Sequence, residues 1–220
     1  MTRAEDPTIE RFRTLSTATV SDALDRLALP GSAHGLAPLG TGQRMVGRAF
    51  TIRYVPVGAE PGTVGDYIDD ITPGQVVVLD NGGRTDCTVW GDILTAVAHD
   101  RGVAGTVIHG VCRDVTRALD AGYPIYSVGR FMRTGKDRVE VSGINVPVAV
   151  GDAKAEPGDL VVGDDDGVVI VPAAHVDEVG ELAARIDEHE GKILADALGG
   201  ATLRQAREQH GYHTLQRKGS

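Results

Sequence analysis

The chain has 220 residues, 41% of them hydrophobic and 24% charged, enough to bury a substantial core. A formal net charge of −9, no Lys/Arg block and only 4% aromatic residues argue against a surface that grips a phosphate backbone, so no nucleic-acid partner is expected. No window reaches the roughly 18 apolar residues of a membrane helix, and the polar, acidic start MTRAEDPTIERF lacks the apolar core of a signal peptide. The expectation is one cytoplasmic domain over residues 1–220 with no membrane partner. It comprises an arm over 1–13, a C-terminal helical segment over 176–210, and a frayed polar tail over 216–220. Cys87 and Cys112 belong to no CxxC or Cys/His pattern and read as reduced, partly buried thiols.

In chain order, Ser16 or a neighbouring Thr can cap a helix through Ala23, Leu24 and Leu27 that stops at Pro30-Gly31. A Gly/Pro-rich loop over 31–42 precedes an alternating strand over 45–55. A short helix is predicted over 66–71. The Val-rich run 75–80 reads as a strand buried on both faces, ended by Asn81-Gly82-Gly83. Helical spacing of Ile93, Leu94, Val97 and Ala98 predicts a helix from Trp90 or Gly91 to about Arg101. A strand over 106–108, a helix over 115–121 and a strand over 124–128 complete a βαβαβ rhythm, which implies an α/β core with parallel strands. The second half offers short strands over 139–141, 146–150, 160–162 and 168–171, read as a β-rich layer packed on, or wrapped around, the first half. Helices over 176–198 and 203–210 follow. The stretch from Pro73 to Gly82 echoes that from Pro157 to Gly167, and a recurrent turn-strand unit accounts for it better than a duplication.

The chemistry-bearing residues are two dipeptides, Gly91-Asp92 at a helix start and Arg113-Asp114 just past a strand. Both fall at element ends, where α/β proteins bind ligands. A glycine at a helix start leaves the amides of Ile93 and Leu94 open to a carboxylate or phosphate. Asp114 can hold Mg²⁺ or Mn²⁺, and Arg113 can stabilise an oxyanion or enolate. On spacing alone, Asp92 could equally serve only the helix terminus and Arg113-Asp114 be an ordinary surface pair.

Taken together, Val46-Gly47-Arg48-Ala49-Phe50-Thr51, Pro73-Gly74, Asp80-Asn81-Gly82-Gly83, Trp90-Gly91-Asp92-Ile93-Leu94, Gly102-Val103-Ala104-Gly105 and Gly110-Val111-Cys112-Arg113-Asp114 resemble one family. Asn145-Val146-Pro147-Val148, Pro157-Gly158-Asp159 and Asp164-Asp165-Asp166-Gly167-Val168-Val169 extend the likeness to about residues 14–195. It is the RraA-like family, which holds the regulator of ribonuclease E activity A and the class II 4-hydroxy-4-methyl-2-oxoglutarate/4-carboxy-4-hydroxy-2-oxoadipate aldolases. The resemblance implies a layered α/β/β sandwich with a C-terminal helix, assembled as a homotrimer or hexamer with the site at a subunit interface. It implies a 2-oxo acid substrate, with Arg113 on the substrate and its enolate, and Gly91 and the Ile93 and Leu94 amides around the carboxylate. It further implies a divalent metal (Mg²⁺ or Mn²⁺) on Asp114, Asp92 acting on that metal through water, and Glu190 of a neighbouring subunit contributing, with Glu188 as the fallback. Two positions depart from many relatives: Arg117 stands where an acid is common, and His109 where Asp is common. His109 is either a proton relay or a structural residue. His34, His99, His175, His189, His210 and His213 show no ligand-like spacing.

The implied reaction cleaves the C–C bond beyond a 2-oxo group and leaves a pyruvate enolate, whose charge a chelated cation and Arg113 offset. The same apparatus would decarboxylate oxaloacetate. No Schiff-base lysine stands out, because Lys136, Lys154, Lys192 and Lys218 lie in polar or helix-surface contexts. The alternatives are a non-catalytic regulator that binds a ribonuclease or helicase, and a lyase for a different hydroxy or oxo acid.

Overall fold

The computed structural model describes residues 7–59 and 62–212; residues 1–6 of the arm, His213 and the tail over 216–220 lie outside the described residues. The chain runs α1 (Pro7–Thr14), α2 (Thr17–Arg26), β1 (Ser32–Ala33), β2 (Ala37–Pro38), β3 (Met45–Pro56), a 3-10 turn (Asp66–Asp70) and β4 (Gln75–Thr88). Then come α3 (Asp92–Asp100), β5 (Gly105–Cys112), α4 (Val115–Asp120), β6 (Ile125–Arg130), β7 (Val139–Ile144), β8 (Val148–Val150) and β9 (Ala153–Ala155). Last are β10 (Leu160–Asp164), β11 (Gly167–Val171), α5 (Val176–Leu198) and α6 (Leu203–Gln209). They form two compact units, residues 1–30 with 174–220, and residues 31–173.

The larger unit is α/β. Its main sheet follows the order β1-β11-β10-β3-β4-β5-β6-β2, with β7 paired to the second half of β3. Strands β3, β4, β5 and β6 are parallel neighbours, as the βαβαβ rhythm predicts. Alternation along β4 divides the core in two: Val77 and Leu79 pack with Phe50, Ile52, Trp90 and Ile108 beside α3, while Val76 and Val78 pack with Met45, Val107 and Val161 on the other face. Strands β1 and β2 end the sheet order yet are separated only by residues 34–36, so the two edges lie within about 14 Å and the sheet must curl.

That curl supplies both β layers of the α/β/β arrangement. The second-half strands are not a layer packed separately on the first half but continue its sheet: β10 pairs antiparallel with β3, and only the β8–β9 hairpin stands apart. The two echoing segments therefore flank β3 on opposite sides as β4 and β10. Each begins with a glycine in the left-handed region, Gly74 at φ +81° and Gly158 at φ +88°, which is the conformation the shared Pro-Gly turn demands.

Strand β4 does not stop at Asn81-Gly82-Gly83. Gly82 and Gly83 adopt φ of +62° and +68°, and the strand goes on to Thr88 through two register shifts, so the glycines form bulges rather than an end. The 31–42 loop contains the two-residue strands β1 and β2. Strand β9 was too short to show a period in the sequence.

The smaller unit is helical. Ser16 caps α2 by accepting the Thr19 amide at 3.0 Å. Helix α5 buries Val179, Leu182, Ala183, Ile186 and Ile193 along one stripe, and a Cβ on its Gly180 would lie 2.9 Å from the Phe12 ring of α1. Thr202 and Gln205 form a reciprocal capping box on α6.

Glu190 lies half-buried on α5, and its carboxyl is pushed above the ordinary range, first by burial and then by Asp22 and Asp187. A carboxyl raised in the folded state holds its proton more tightly there than when unfolded. Its ionisation at neutral pH therefore opposes folding, and that penalty disappears as pH falls through the raised value. Glu190→Gln should consequently melt above the native protein at pH 7, with the gap closing on acidification. A variant that melts lower at pH 7 contradicts this.

Candidate active site

Two loops at the C-terminal ends of parallel strands build the site, one from β4 to α3 and one from β5 to α4. Thr88, Trp90 and Thr95 lock the first. The Trp90 ring is 1% exposed and lies nearly parallel to Tyr123, with centroids 6.4 Å apart. Its indole N–H donates to Thr95 Oγ1 at 2.9 Å, and the Thr95 hydroxyl donates to the Gly91 carbonyl at 2.9 Å. The Trp90 amide donates to Thr88 Oγ1 at 3.1 Å. The second loop is tied to the first where the Arg113 amide donates to the Trp90 carbonyl at 3.1 Å.

Thr95→Val keeps the shape but removes both hydroxyl bonds and leaves the buried indole N–H unpaired. It should cost about 1–3 kcal/mol in chemical denaturation. A loss below the error of the fit would contradict the assigned role.

Gly91, Asp92, Arg113 and Asp114 come together. The Asp92 amide donates to Asp114 Oδ2 at 3.1 Å, and Arg113 Nε sits 3.2 Å from the same oxygen. Asp114 Oδ1 accepts no hydrogen bond among the described residues. Asp114 adopts φ 56°, ψ 38°, a left-handed conformation that is uncommon outside glycine but more open to aspartate than to most residues; Ala28, Asp137 and Asn145 also have positive φ. Gly91 is extended (φ −145°, ψ −163°), so its requirement is space: a Cβ there would lie 2.8 Å from Asp114 Oδ2 and 3.1 Å from Arg113 Nε.

The first-turn amides of α3 are not equivalent. The Ile93 amide donates to the Asp92 side chain at 2.8 Å, so an incoming carboxylate must displace that carboxylate to reach it. The Leu94 amide has no acceptor among the described residues.

A cavity of about 390 Å³ opens here, lined by Trp90, Gly91, Asp92, Ile93, Leu94 and Arg113 on one side. The 3-10 turn bearing Asp66 and Asp69, with Thr88 and Thr134, lines the rest. Asp114 is bonded to lining residues without lining the cavity itself. Sequence reasoning missed the 3-10 turn as a wall; the acid run Asp66, Asp69, Asp70 was its one visible signal.

Arg117 is exposed on α4, outside the lining. His109 on β5 is also outside it: its Nδ1 is buried 3.4 Å from Asp80 Oδ1 in a geometry that makes no hydrogen bond. No helix of the described residues is long and apolar enough to cross a membrane. No group of three or more His, Cys, Asp or Glu among the described residues could enclose a metal ion. What the cluster offers is the unbonded Oδ1 of Asp114, with Asp92 nearby. One or two carboxylates suit a hard cation that keeps most of its water, so the residues present fit Mg²⁺ or Mn²⁺.

The RraA-like family model, described as Aldolase/RraA, matches residues 17–170. The chain is 35% identical over 207 residues to Protein DlpA of Legionella pneumophila; the match covers 93% of this chain but spans only 34% of that protein. It is 34% identical over 201 residues to a protein of Halalkalibacterium halodurans named "Putative 4-hydroxy-4-methyl-2-oxoglutarate aldolase", covering 89% of this chain and 92% of that one. A crystal structure of an uncharacterized protein from Pseudomonas syringae pv. tomato superposes with a TM-score of 0.88 at 41% identity, over 92% and 93% of the two chains. The sequence motifs, the curled α/β/β sheet and these matches together make the chain a member of the RraA-like family.

Proposed function

We propose that the protein is a divalent-metal-dependent lyase that cleaves a C–C bond of a 2-oxo acid through a pyruvate enolate, in the manner of a class II aldolase or oxaloacetate decarboxylase. The observation that carries this reading is the junction at Asp114. A carboxylate in a left-handed backbone keeps one oxygen unbonded while the other takes the Asp92 amide and faces Arg113, and only glycine leaves room for it.

In this reading Arg113 and the Leu94 amide hold the 2-oxo carboxylate and the oxygen that becomes the enolate. Asp92 lines the cavity and orients water for the proton transfers. The C4 hydroxyl gives up its proton as the C3–C4 bond breaks, and C3 of the enolate takes one back. Asp114 would hold a Mg²⁺ or Mn²⁺ ion, which when bound supplies Lewis-acid stabilisation of the enolate charge.

Assembly as a homotrimer or hexamer in the cytoplasm, with Glu190 reaching a neighbour's site, belongs to the same proposal. Large apolar side chains left in water support burial against another copy: Leu194 and Leu198 on α5 are 59% and 80% exposed, and Met132 is 74% exposed.

The test is pyruvate release from 4-hydroxy-4-methyl-2-oxoglutarate, oxaloacetate and 4,5-dihydroxy-2-oxopentanoate by chelated protein, with and without added Mg²⁺. Release that requires the ion is expected from at least one. Metal-independent release overturns the mechanism. No release from any of the three overturns a pyruvate-releasing lyase of this type and favours the protein-binding regulator or a lyase for a different hydroxy or oxo acid.

A further inference from the structure

We infer that the substrate is a 2-oxo monocarboxylate whose tail beyond C4 is uncharged and bears hydroxyls, and that Asp66 sets this preference. The inference rests on the lyase reading above and deepens it.

Charge in the cavity is lopsided. Arg113 is the one cation among its described lining residues, and it is taken by the 2-oxo end and by Asp114. The other charged lining residues are Asp66, Asp69 and Asp92. Arg101, next to this wall, is committed: it donates to Asp69 Oδ1 at 2.5 Å and to the Ile68 carbonyl at 2.7 Å. Asp66 has no cationic partner among the described residues. The acidic turn is pressed against the start of α3, since a Cβ on Gly65 would lie 3.2 Å from Leu94 Cδ2. Asp66 therefore lines the cavity beside the first turn of α3, where the tail of a substrate held by Arg113 and the Leu94 amide would extend in this reading.

Among the described lining residues, a second carboxylate in that space meets Asp66 and the Arg101-paired Asp69 and no cation. A hydroxyl there meets carboxylate oxygens that accept its hydrogen bond. This departs from 4-hydroxy-4-methyl-2-oxoglutarate, whose tail ends in a carboxylate.

Two substrates of equal length isolate the effect: 4,5-dihydroxy-2-oxopentanoate, ending in CH₂OH, and 4-hydroxy-2-oxoglutarate, ending in COO⁻. Each would lose its C4 hydroxyl proton, break C3–C4 and gain a proton at C3, giving pyruvate with glycolaldehyde or glyoxylate. The native enzyme should favour the dihydroxy acid by about tenfold or more in kcat/KM. Asp66→Asn should narrow that ratio about threefold to fivefold, mainly through KM for the carboxylate tail, as expected for a solvent-exposed charge. A native preference for 4-hydroxy-2-oxoglutarate, or a ratio that Asp66→Asn leaves unmoved, overturns the inference while the lyase reading stands.

If neither acid releases pyruvate, the lyase reading is judged by 4-hydroxy-4-methyl-2-oxoglutarate and oxaloacetate as above, and calorimetry with the uncleavable pair 2-oxoglutarate and 5-hydroxy-2-oxopentanoate judges the pocket separately. Tighter binding of 5-hydroxy-2-oxopentanoate upholds the tail preference. Tighter or equal binding of 2-oxoglutarate overturns it.

Discussion

Asp114→Asn should cut pyruvate release by about a thousandfold, equivalent to ~4 kcal/mol of transition-state stabilisation, while leaving the fold intact. Asparagine tolerates the left-handed backbone at φ 56° better than other non-glycine residues, and its amide oxygen can still accept the Asp92 N–H. What it loses is the negative charge: the charge that faces Arg113 and the charge that would draw a divalent cation. Asp114→Ala is the harsher companion, because it removes both the acceptor and the residue type suited to that backbone, at a further cost of about 1–2 kcal/mol in stability. Thermal melts separate the two effects. The asparagine variant should melt within a few degrees of native, while the alanine variant should melt lower. Activity of Asp114→Asn within tenfold of native would remove Asp114 from the chemistry.

Gly91→Ala should lower activity by about a hundredfold with little change in stability. The reason is unusual for a glycine, because the backbone there is extended and any residue could adopt it. The difficulty is the Cβ, 2.8 Å from Asp114 Oδ2 and 3.1 Å from Arg113 Nε, both near the ends of side chains that can swing away. Swinging away relieves the clash cheaply and dismantles the site. A variant that keeps activity but unfolds early would show that the glycine serves folding instead.

The features legible in sequence are those carried by local periodicity. The Val run of β4 and the stripe of α5 need no distant partner to declare themselves; α5 forms as predicted, and β4 begins as predicted but continues past its expected end to Thr88. Gly91-Asp92 and Arg113-Asp114 could be placed at element ends for the same reason, since a strand followed by a helix is a local pattern.

What stayed hidden depends on residues far apart in the chain. The continuation of β4 past Gly82 and Gly83 is decided by pairing with β5, which absorbs the bulges. Capture of the Ile93 amide by Asp92 is a rotamer choice that no residue spacing encodes. The 3-10 turn becomes a wall of the cavity only because tertiary packing sets Gly65 against Leu94. The left-handed Asp114 is similar, because nothing in the letters Arg-Asp announces a positive φ.

The enolate itself is the most direct target. Proton NMR of pyruvate in D₂O follows replacement of its methyl hydrogens, which requires enolate formation and is indifferent to any substrate tail. The native protein with Mg²⁺ or Mn²⁺ should accelerate this exchange, a chelator should abolish the acceleration, and Asp114→Asn should not show it when the ion is returned. Exchange no faster than buffer with the metal-supplied native protein, or equal exchange by native and Asp114→Asn, would contradict the enolate mechanism.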